Sequence, residues 1–415
     1  MPLRCIYPYI VCIITGLFIF YKYLLQVSPS VMTNDLMRDF QLTGVGLGNL
    51  TACFLYFYLL MQIPAGILFD KYNSRSIIVI ALSICAGFTF VFAYAPSNLI
   101  ACIARAGMGI GAAFAFIAYM KMITLWIPPK HFALMSGLGL TIAMLGAMGG
   151  QVPIATLVAD LGWRQTLGWM GILGFLLALL CFLIIKNKHV LIPQPSLKSH
   201  NLSPYNFKII INNKQNWLLG FFCGCGFAPM SVFGGLWGVP FLEQACNLSQ
   251  MIASKNISLI FIGFAIGCPF FGWISDYLAK RKLVMAMGVL TALVCLSSII
   301  YFSHFLPLFT IEILLFTFGF TASAVLLCFT IAVEIQSTLL AGSLIAFINT
   351  LSSLFEALTG PVIGKVLDLS WDGKLLNGAC IFSVKNYHVG LLVLPIYLVV
   401  ALLLLVFIEE PKSRG

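Results

Sequence analysis

Charged residues are what this 415-residue chain has least of: Asp, Glu, Lys and Arg together make up 9% of it, against about 25% in an ordinary soluble domain. That scarcity excludes a protein whose surface mostly faces water. Acid is rarer still, with 13 Asp and Glu against 23 Lys and Arg and a formal net charge of +10. A basic excess points to nucleic acid only when it clusters on a soluble face. Here the cations sit in short gaps between apolar runs, so no nucleic-acid partner is expected. The motifs of catalysis are missing as well. There is no phosphate-cradling Gly-rich loop, no Walker A pattern, no His-Glu-x-x-His pair and no nucleophile motif, and the five histidines are scattered. No enzymatic activity, cofactor, metal site or self-contained ATP-driven pump is expected. The 13 cysteines show no paired spacing of a disulfide framework. Cys223 and Cys225 are too close together for a zinc chelate, and most of the others lie within apolar runs, as small packing residues do.

What is there instead is apolar. The chain is 61% hydrophobic, more than a soluble core can hide, so the bilayer is the expected solvent. About 20 apolar residues span a bilayer as a helix. On that ruler, spans fall near 9–29, 44–65, 76–95, 99–120, 132–158 and 165–186, and then near 216–242, 251–273, 283–303, 306–333, 338–366 and 387–408. The expected fold is an all-α integral membrane protein of twelve transmembrane helices, six plus six. Its N-terminal half covers 1–186, a linker rich in Lys, Asn, Ser and Pro covers 187–215, and the C-terminal half covers 216–415. The first apolar run follows Arg4 and imitates a signal peptide. It is too long for an h-region and no small-x-small site follows it, so it reads as a retained first helix. With the N-terminus inside, the inner segments carry 15 Lys and Arg and the outer segments 6. The positive-inside rule then puts both termini in the cytoplasm. Short loops and compact length favour a bacterial inner membrane. The N-x-S/T triplets at Asn49, Asn201, Asn247 and Asn256 read as chance.

The halves are repeats. The segment after the second span runs from Gly66 through Asp70 and Lys71 to Arg75, and the one after the eighth runs from Gly272 through Asp276 to Arg281. Both follow G-x-x-x-D-x-x-x-x-R, and Asp276 and Asp70 are 206 residues apart. A motif repeated at the same point of two six-helix halves marks an internal duplication, which is typical of alternating-access transporters. These residues resemble the major facilitator superfamily over nearly the whole chain. Gly66, Leu68, Asp70, Lys71 and Arg75 match that family's G-x-L-x-D-R/K-x-G-R-R/K loop, with Asn73 where the pattern has Gly. Asn is the next most tolerant residue of a left-handed turn. Glycine is expected to let two helices approach closely there, and the Asp to cap a helix and pair with a cation. Arg105-Ala-Gly-Met-Gly109-Ile-Gly111-Ala-Ala, Trp126-Ile-Pro-Pro129-Lys130 and Gly162-Trp163-Arg164 are similar to other family stretches. The resemblance implies two pseudo-symmetric bundles, a central cavity lined by the first, fourth, seventh and tenth helices, and a gating role for Gly66, Asp70, Lys71, Arg75, Gly272, Asp276 and Arg281.

A charge inside a span costs at least about 2.5–3.5 kcal/mol on insertion scales, so it is a functional candidate. Four stand out: Lys22, Arg105, Glu312 and Glu356. Arg105 plus the offset of 206 gives 311, so Arg105 and Glu312 are expected at near-equivalent positions of the fourth and tenth spans. Gln26 follows Lys22 by one turn, with Thr15 and Pro29 two turns to either side on the same face. Trp237 is the leading aromatic of the seventh span. The candidate substrate-binding residues are Lys22, Gln26, Arg105, Trp237 and Glu312, and the candidate proton-coupling residues are Glu312 and Glu356. Structural ion pairs, such as Arg105 with Glu312, are the alternative. The expected function is secondary transport of a small polar solute, zwitterionic or anionic, such as an amino acid, peptide or organic acid. A proton or other coupling ion and membrane lipid are the expected partners, and the protein is expected to be a monomer. The rival readings are an exporter of hydrophobic compounds or a siderophore, and a non-transporting receptor or scaffold.

Overall fold

The computed structural model describes residues 2–128, 131–186, 209–335, 341–376 and 378–410. In a hydrocarbon solvent a backbone has no water to bond with, and a helix satisfies its N–H and C=O groups within its own segment. The chain obeys that rule. Among the described residues, twelve helical segments are long and apolar enough to cross a membrane: span 1, Ile6–Val31; span 2, Gly44–Phe69; span 3, Ser74–Ala93; span 4, Asn98–Trp126; span 5, Leu134–Leu161; span 6, Trp163–Ile184; span 7, Lys214–Cys246; span 8, Gln250–Leu278; span 9, Arg281–Phe302; span 10, Leu308–Ile335; span 11, Ser343–Leu369; and span 12, Val384–Phe407. Each lies within a few residues of the apolar run that predicted it. A short helix, Thr33–Asp39, follows span 1, and a small antiparallel hairpin pairs Leu375–Leu376 with Ala379–Cys380 before span 12. Leu60, Leu99, Leu183, Phe309 and Val406 are 64–71% exposed. On a soluble protein such apolar faces would invite aggregation; here they form the lipid-facing surface.

The chain forms two units, Met1–Gln194 with Leu375–Cys380, and Pro195–Lys374 with Ile381–Gly415. The first holds spans 1 to 6 and the second spans 7 to 12. Most of the predicted linker, 187–208, lies outside the described residues. Several spans are interrupted. Span 1 ends in the 3-10 turn Ser28–Val31, span 4 breaks after Ala112, and span 10 passes through a 3-10 turn at Ser323–Leu326. Span 7 contains a π-helical turn, Phe233–Trp237.

Glycine sets the distance between spans. A methyl group at Gly109 of span 4 would overlap the carbonyl oxygen of Phe54 in span 2, and one at Gly319 of span 10 would overlap that of Ile260 in span 8. Phe54 and Ile260 are 206 positions apart, but Gly109 and Gly319 are 210 apart. The two 15-residue helices that carry these glycines, Asn98–Ala112 and Leu308–Ala322, are also 210 apart. The repeat therefore gains residues on the way. Span 9 has 22 residues where span 3 has 20, and the loop after it is one residue longer. This corrects the predicted equivalence of Arg105 and Glu312. The counterpart of Arg105 is Leu315, and Glu312 occupies the place of Cys102, about one turn earlier.

Candidate functional site

The first unit gathers two cations on one pair of rings. Arg105 is 1% exposed, and its Nη1 donates to the Leu25 carbonyl oxygen of span 1 at 3.0 Å. Its guanidinium carbon lies 4.9 Å from the Phe54 ring centre and 5.8 Å from that of Phe92, and its Nε has no hydrogen-bond partner among the described residues. Gly109, one turn further along span 4, makes this seating possible by bringing the helix against Phe54. Lys22 is 5% exposed; its Nζ donates to Gln26 Oε1 at 2.5 Å and lies 3.6 Å from the Tyr23 ring centre and 4.6 Å from that of Tyr58. Phe54 and Tyr58 are stacked one turn apart, with centroids 6.4 Å apart and planes 10° from parallel. Spans 1, 2 and 4 thus hold Lys22 and Arg105 over adjoining rings, each contact contributing about 0.5–2 kcal/mol. Thr15, expected on the same face as Lys22, is fully buried and back-bonded to Val11 and Cys12 carbonyls. Pro29 lies in the 3-10 turn that ends the span. The glycines of span 5 pack it on span 1, with Gly146 against the Phe20 backbone and Gly150 against that of Leu24.

The second unit holds the acids. Glu356 of span 11 is 9% exposed and accepts a hydrogen bond from the Ser231 hydroxyl of span 7. Glu312 is half-buried, one turn into span 10. Trp237 is fully buried in the π turn of span 7, and its Nε1 has no hydrogen-bond partner among the described residues. Such turns recur at functional sites because they re-aim side chains out of the helical register. Sequence reasoning missed Ser231, which carries no signal of its own among apolar neighbours.

The repeated motif is built differently in each unit. In the second, Arg281 grips Glu334 at the end of span 10 with two bonds, Nε to Oε2 at 2.6 Å and Nη2 to Oε1 at 2.5 Å. Its Nη1 bonds Asp276 Oδ1 at 3.0 Å and Ser275 Oγ at 3.1 Å. Glu334 lies 53 residues beyond Arg281, too far for any local pattern to join them. In the first unit the Arg75 guanidinium lies 4.2 Å from the Phe182 ring centre, and Lys71 is exposed. The side chain of Asp70 lies outside the described residues. Two expectations need correction. A methyl group at Gly66 or Gly272 would meet no atom within 4 Å among the described residues; helix approach is instead set by Gly109 and Gly319. Asn73 is extended, with φ −64°, and not left-handed: its side chain accepts from the Arg75 amide and caps span 3. The left-handed residue is its counterpart Ala279, at φ 50°. In the first unit Asn73 caps span 3, and in the second Asp276 pairs with Arg281.

At the other end of the first unit, Gly162 turns the chain at φ +81°, a conformation open mainly to glycine. Next to it, Trp163 Nε1 donates to Asp39 Oδ2 at 2.9 Å, and Arg164 approaches the same oxygen at 3.6 Å while donating to the Ala93 and Ala95 carbonyls. Asp39, in the helix after span 1, gave no sign of this role in the sequence.

Twelve apolar helices in two six-helix units, with charges buried inside them, are the architecture of a multi-pass membrane transporter. Residues 11–361 match the family model of the Major Facilitator Superfamily, and the chain belongs to that family. It is 25% identical over 318 residues to the probable galactarate/D-glucarate transporter GarP of Escherichia coli (strain K12), covering 68% of this chain and 69% of that one. It is 23% identical over 288 residues to the hexuronate transporter of Bacillus subtilis (strain 168), covering 67% of each. The fold is shared with a crystal structure of a bacterial homolog of the human lysosomal transporter Spinster, at a TM-score of 0.83 and 18% identity over 99% of both chains. Family and relatives are transporters, not enzymes, and membership makes a small molecule the substrate.

Proposed function

We propose that the protein moves a small organic anion, a polyhydroxy acid of the sugar-acid class, by alternating access coupled to protons. Arg105 carries the reading. Its guanidinium is fully buried, and its described partners are a backbone carbonyl and aromatic faces, with no acid among them. A charge held this way favours an anion from outside the chain, since ionic hydrogen bonds are about twice as strong as neutral ones. Lys22, over the adjoining ring and braced by Gln26, adds a second positive charge on the same turns. The named substrates of several relatives, galactarate, glucarate and hexuronate, are sugar acids. Glu312 and Glu356 are the proton carriers in this scheme. The Arg281–Glu334–Asp276 cluster and its first-unit counterpart, Gly66 to Arg75, gate the cytoplasmic side. Both termini face the cytoplasm, and the protein works as a monomer in a bacterial inner membrane.

The test is uptake into proteoliposomes of glucarate, galacturonate and the uncharged polyol glucitol, with and without a pH gradient that is acidic outside. Sugar-acid uptake driven by the gradient, with glucitol excluded, is expected. Uptake of hydrophobic cations in place of sugar acids would overturn the proposal.

A further inference from the structure

Asn256 is the residue that the transport reading leaves unexplained. It lies six residues into span 8 and is fully buried, and neither its Oδ1 nor its Nδ2 has a hydrogen-bond partner among the described residues. A primary amide buried with both functions unmet is rare, because each carries a full desolvation penalty. The amide is therefore expected to find its partners in another state of the protein.

The seam between spans 8 and 10 shows what faces it. Ile260 packs on Gly319, Gly263 on Phe316 and Phe320, and Gly267 on Phe320 and Ser323. These partners are between 53 (263 to 316) and 59 (260 to 319) positions apart, and Asn256 and Glu312 are 56 apart. By helical spacing Asn256 lies on the stripe of Ile260, Gly263 and Gly267, and Glu312 on that of Phe316, Gly319 and Ser323. The two are level with each other on facing stripes, one turn beyond the tight contacts. The first unit is the control. There the same two places hold Leu50, fully buried, and Cys102. The duplication has put an amide and an acid where its other copy has an aliphatic side chain and a thiol.

We propose that Asn256 and Glu312 form a proton-binding pair that closes the seam between spans 8 and 10. The proposal rests on the proton-coupled transport reading above. A protonated carboxyl and a primary amide are complementary. The Glu312 O–H donates to Asn256 Oδ1 while Asn256 Nδ2–H donates to the Glu312 carbonyl oxygen, so one proton satisfies both unmet atoms. An ionised carboxylate has no hydrogen to offer Oδ1, and the ring opens. The proton arrives from water at one membrane face and leaves to water at the other, and no other bond is made or broken. Near this level, the helices packed on span 10 carry Lys255 of span 8, which is exposed, and Tyr301 of span 9, whose hydroxyl donates to the His388 carbonyl. His304, in the loop before span 10, is exposed. Asp276, Tyr277, Arg281 and Lys282 of spans 8 and 9, and Lys214 of span 7, lie at the far ends of their helices. Glu243, near the end of span 7 on this same side, is half-buried, and Glu334 lies at the far end of span 10 itself. The remaining described titratable groups on these helices are thiols.

The experiment is infrared difference spectroscopy of the full-length protein across a pH step, read beside proteoliposome uptake, for wild type, Glu312→Gln, Asn256→Leu and Asn256→Gln. In the wild type a protonated-carboxyl band is expected that Glu312→Gln removes. Asn256→Leu should move that band to higher wavenumber, because its C=O loses a hydrogen bond, and should reduce pH-driven uptake at least tenfold; Asn256→Gln should restore part of both. A band that Glu312→Gln leaves in place, or that Asn256→Leu leaves unshifted, overturns the pair, even where uptake is proton-driven. The band changes as expected with uptake indifferent to the pH gradient would uphold the pair and refute proton coupling. Uptake and band shifts that follow sodium instead of pH would overturn the proton assignment.

Discussion

Replacing Gly109 with alanine should pull Arg105 out of its seat. A Cβ at position 109 would lie 3.0 Å from the Phe54 carbonyl carbon and 3.1 Å from the Tyr58 amide nitrogen, with the Phe54 oxygen nearer still. Carbon atoms settle at about 3.5–4.0 Å, so span 4 must retreat from span 2 by roughly 0.5–1 Å or more. Backbone on both sides of the contact leaves no flexible side chain to yield. Overpacking of this kind costs about 1–3 kcal/mol. Arg105 is one turn away on the same helix, and its 3.0 Å bond to the Leu25 carbonyl is at risk; a hydrogen bond to a charged group is worth about 1.5–3 kcal/mol. If about half of that sum falls on the anion site, affinity drops roughly ten- to a hundredfold, at 1.4 kcal/mol per decade. Thermal unfolding by intrinsic fluorescence and titration with glucarate would measure the two effects. Gly137→Ala is the control, since a methyl group there meets nothing within 4 Å among the described residues. A Gly109→Ala protein that unfolds and binds like the Gly137→Ala protein would refute the reasoning.

Three further outcomes follow from the same geometry. Glu334→Gln removes an acid from the Arg281 fork; uptake should slow severalfold with solute affinity unchanged, as rate and binding measurements on one preparation would show. Gly162→Ala forces a side chain into a backbone conformation with φ +81°; it should lower stability by about 1–3 kcal/mol, read as a lower melting temperature. Glu356→Gln, which keeps the bond from Ser231 but cannot ionise, should retain solute exchange while losing uptake driven by a pH gradient, as counterflow and gradient assays would separate.

The fold was legible because a bilayer imposes one rule on every span. Length and apolarity placed all twelve helices, and the scarcity of charge made Lys22, Arg105, Glu312 and Glu356 visible against it. What escaped was whatever depends on how helices dock. Glu334 reaches Arg281 across 53 residues, and Trp163 reaches Asp39 across 124. The register between the halves slipped from 206 to 210 as span 9 and the loops around it gained residues over span 3 and its loops, and a single offset could not report it. Asn73 stood where the family pattern has glycine, which pointed to a left-handed turn; its side-chain oxygen served as a cap instead. Asn256 read as a chance triplet because nothing in its neighbours announces an unmet amide. The close-packed glycines were in plain view, yet only the docked backbones tell Gly109 and Gly319 from Gly66 and Gly272, where the space is open.

The central claim is that Arg105 recognises the charge of the solute. Isothermal titration of the purified protein with glucarate and with glucitol, for wild type and Arg105→Gln, tests it most directly. The account predicts that wild type binds glucarate and not glucitol, and that Arg105→Gln loses at least tenfold in glucarate affinity while staying folded. Equal glucarate affinity in both proteins would contradict it.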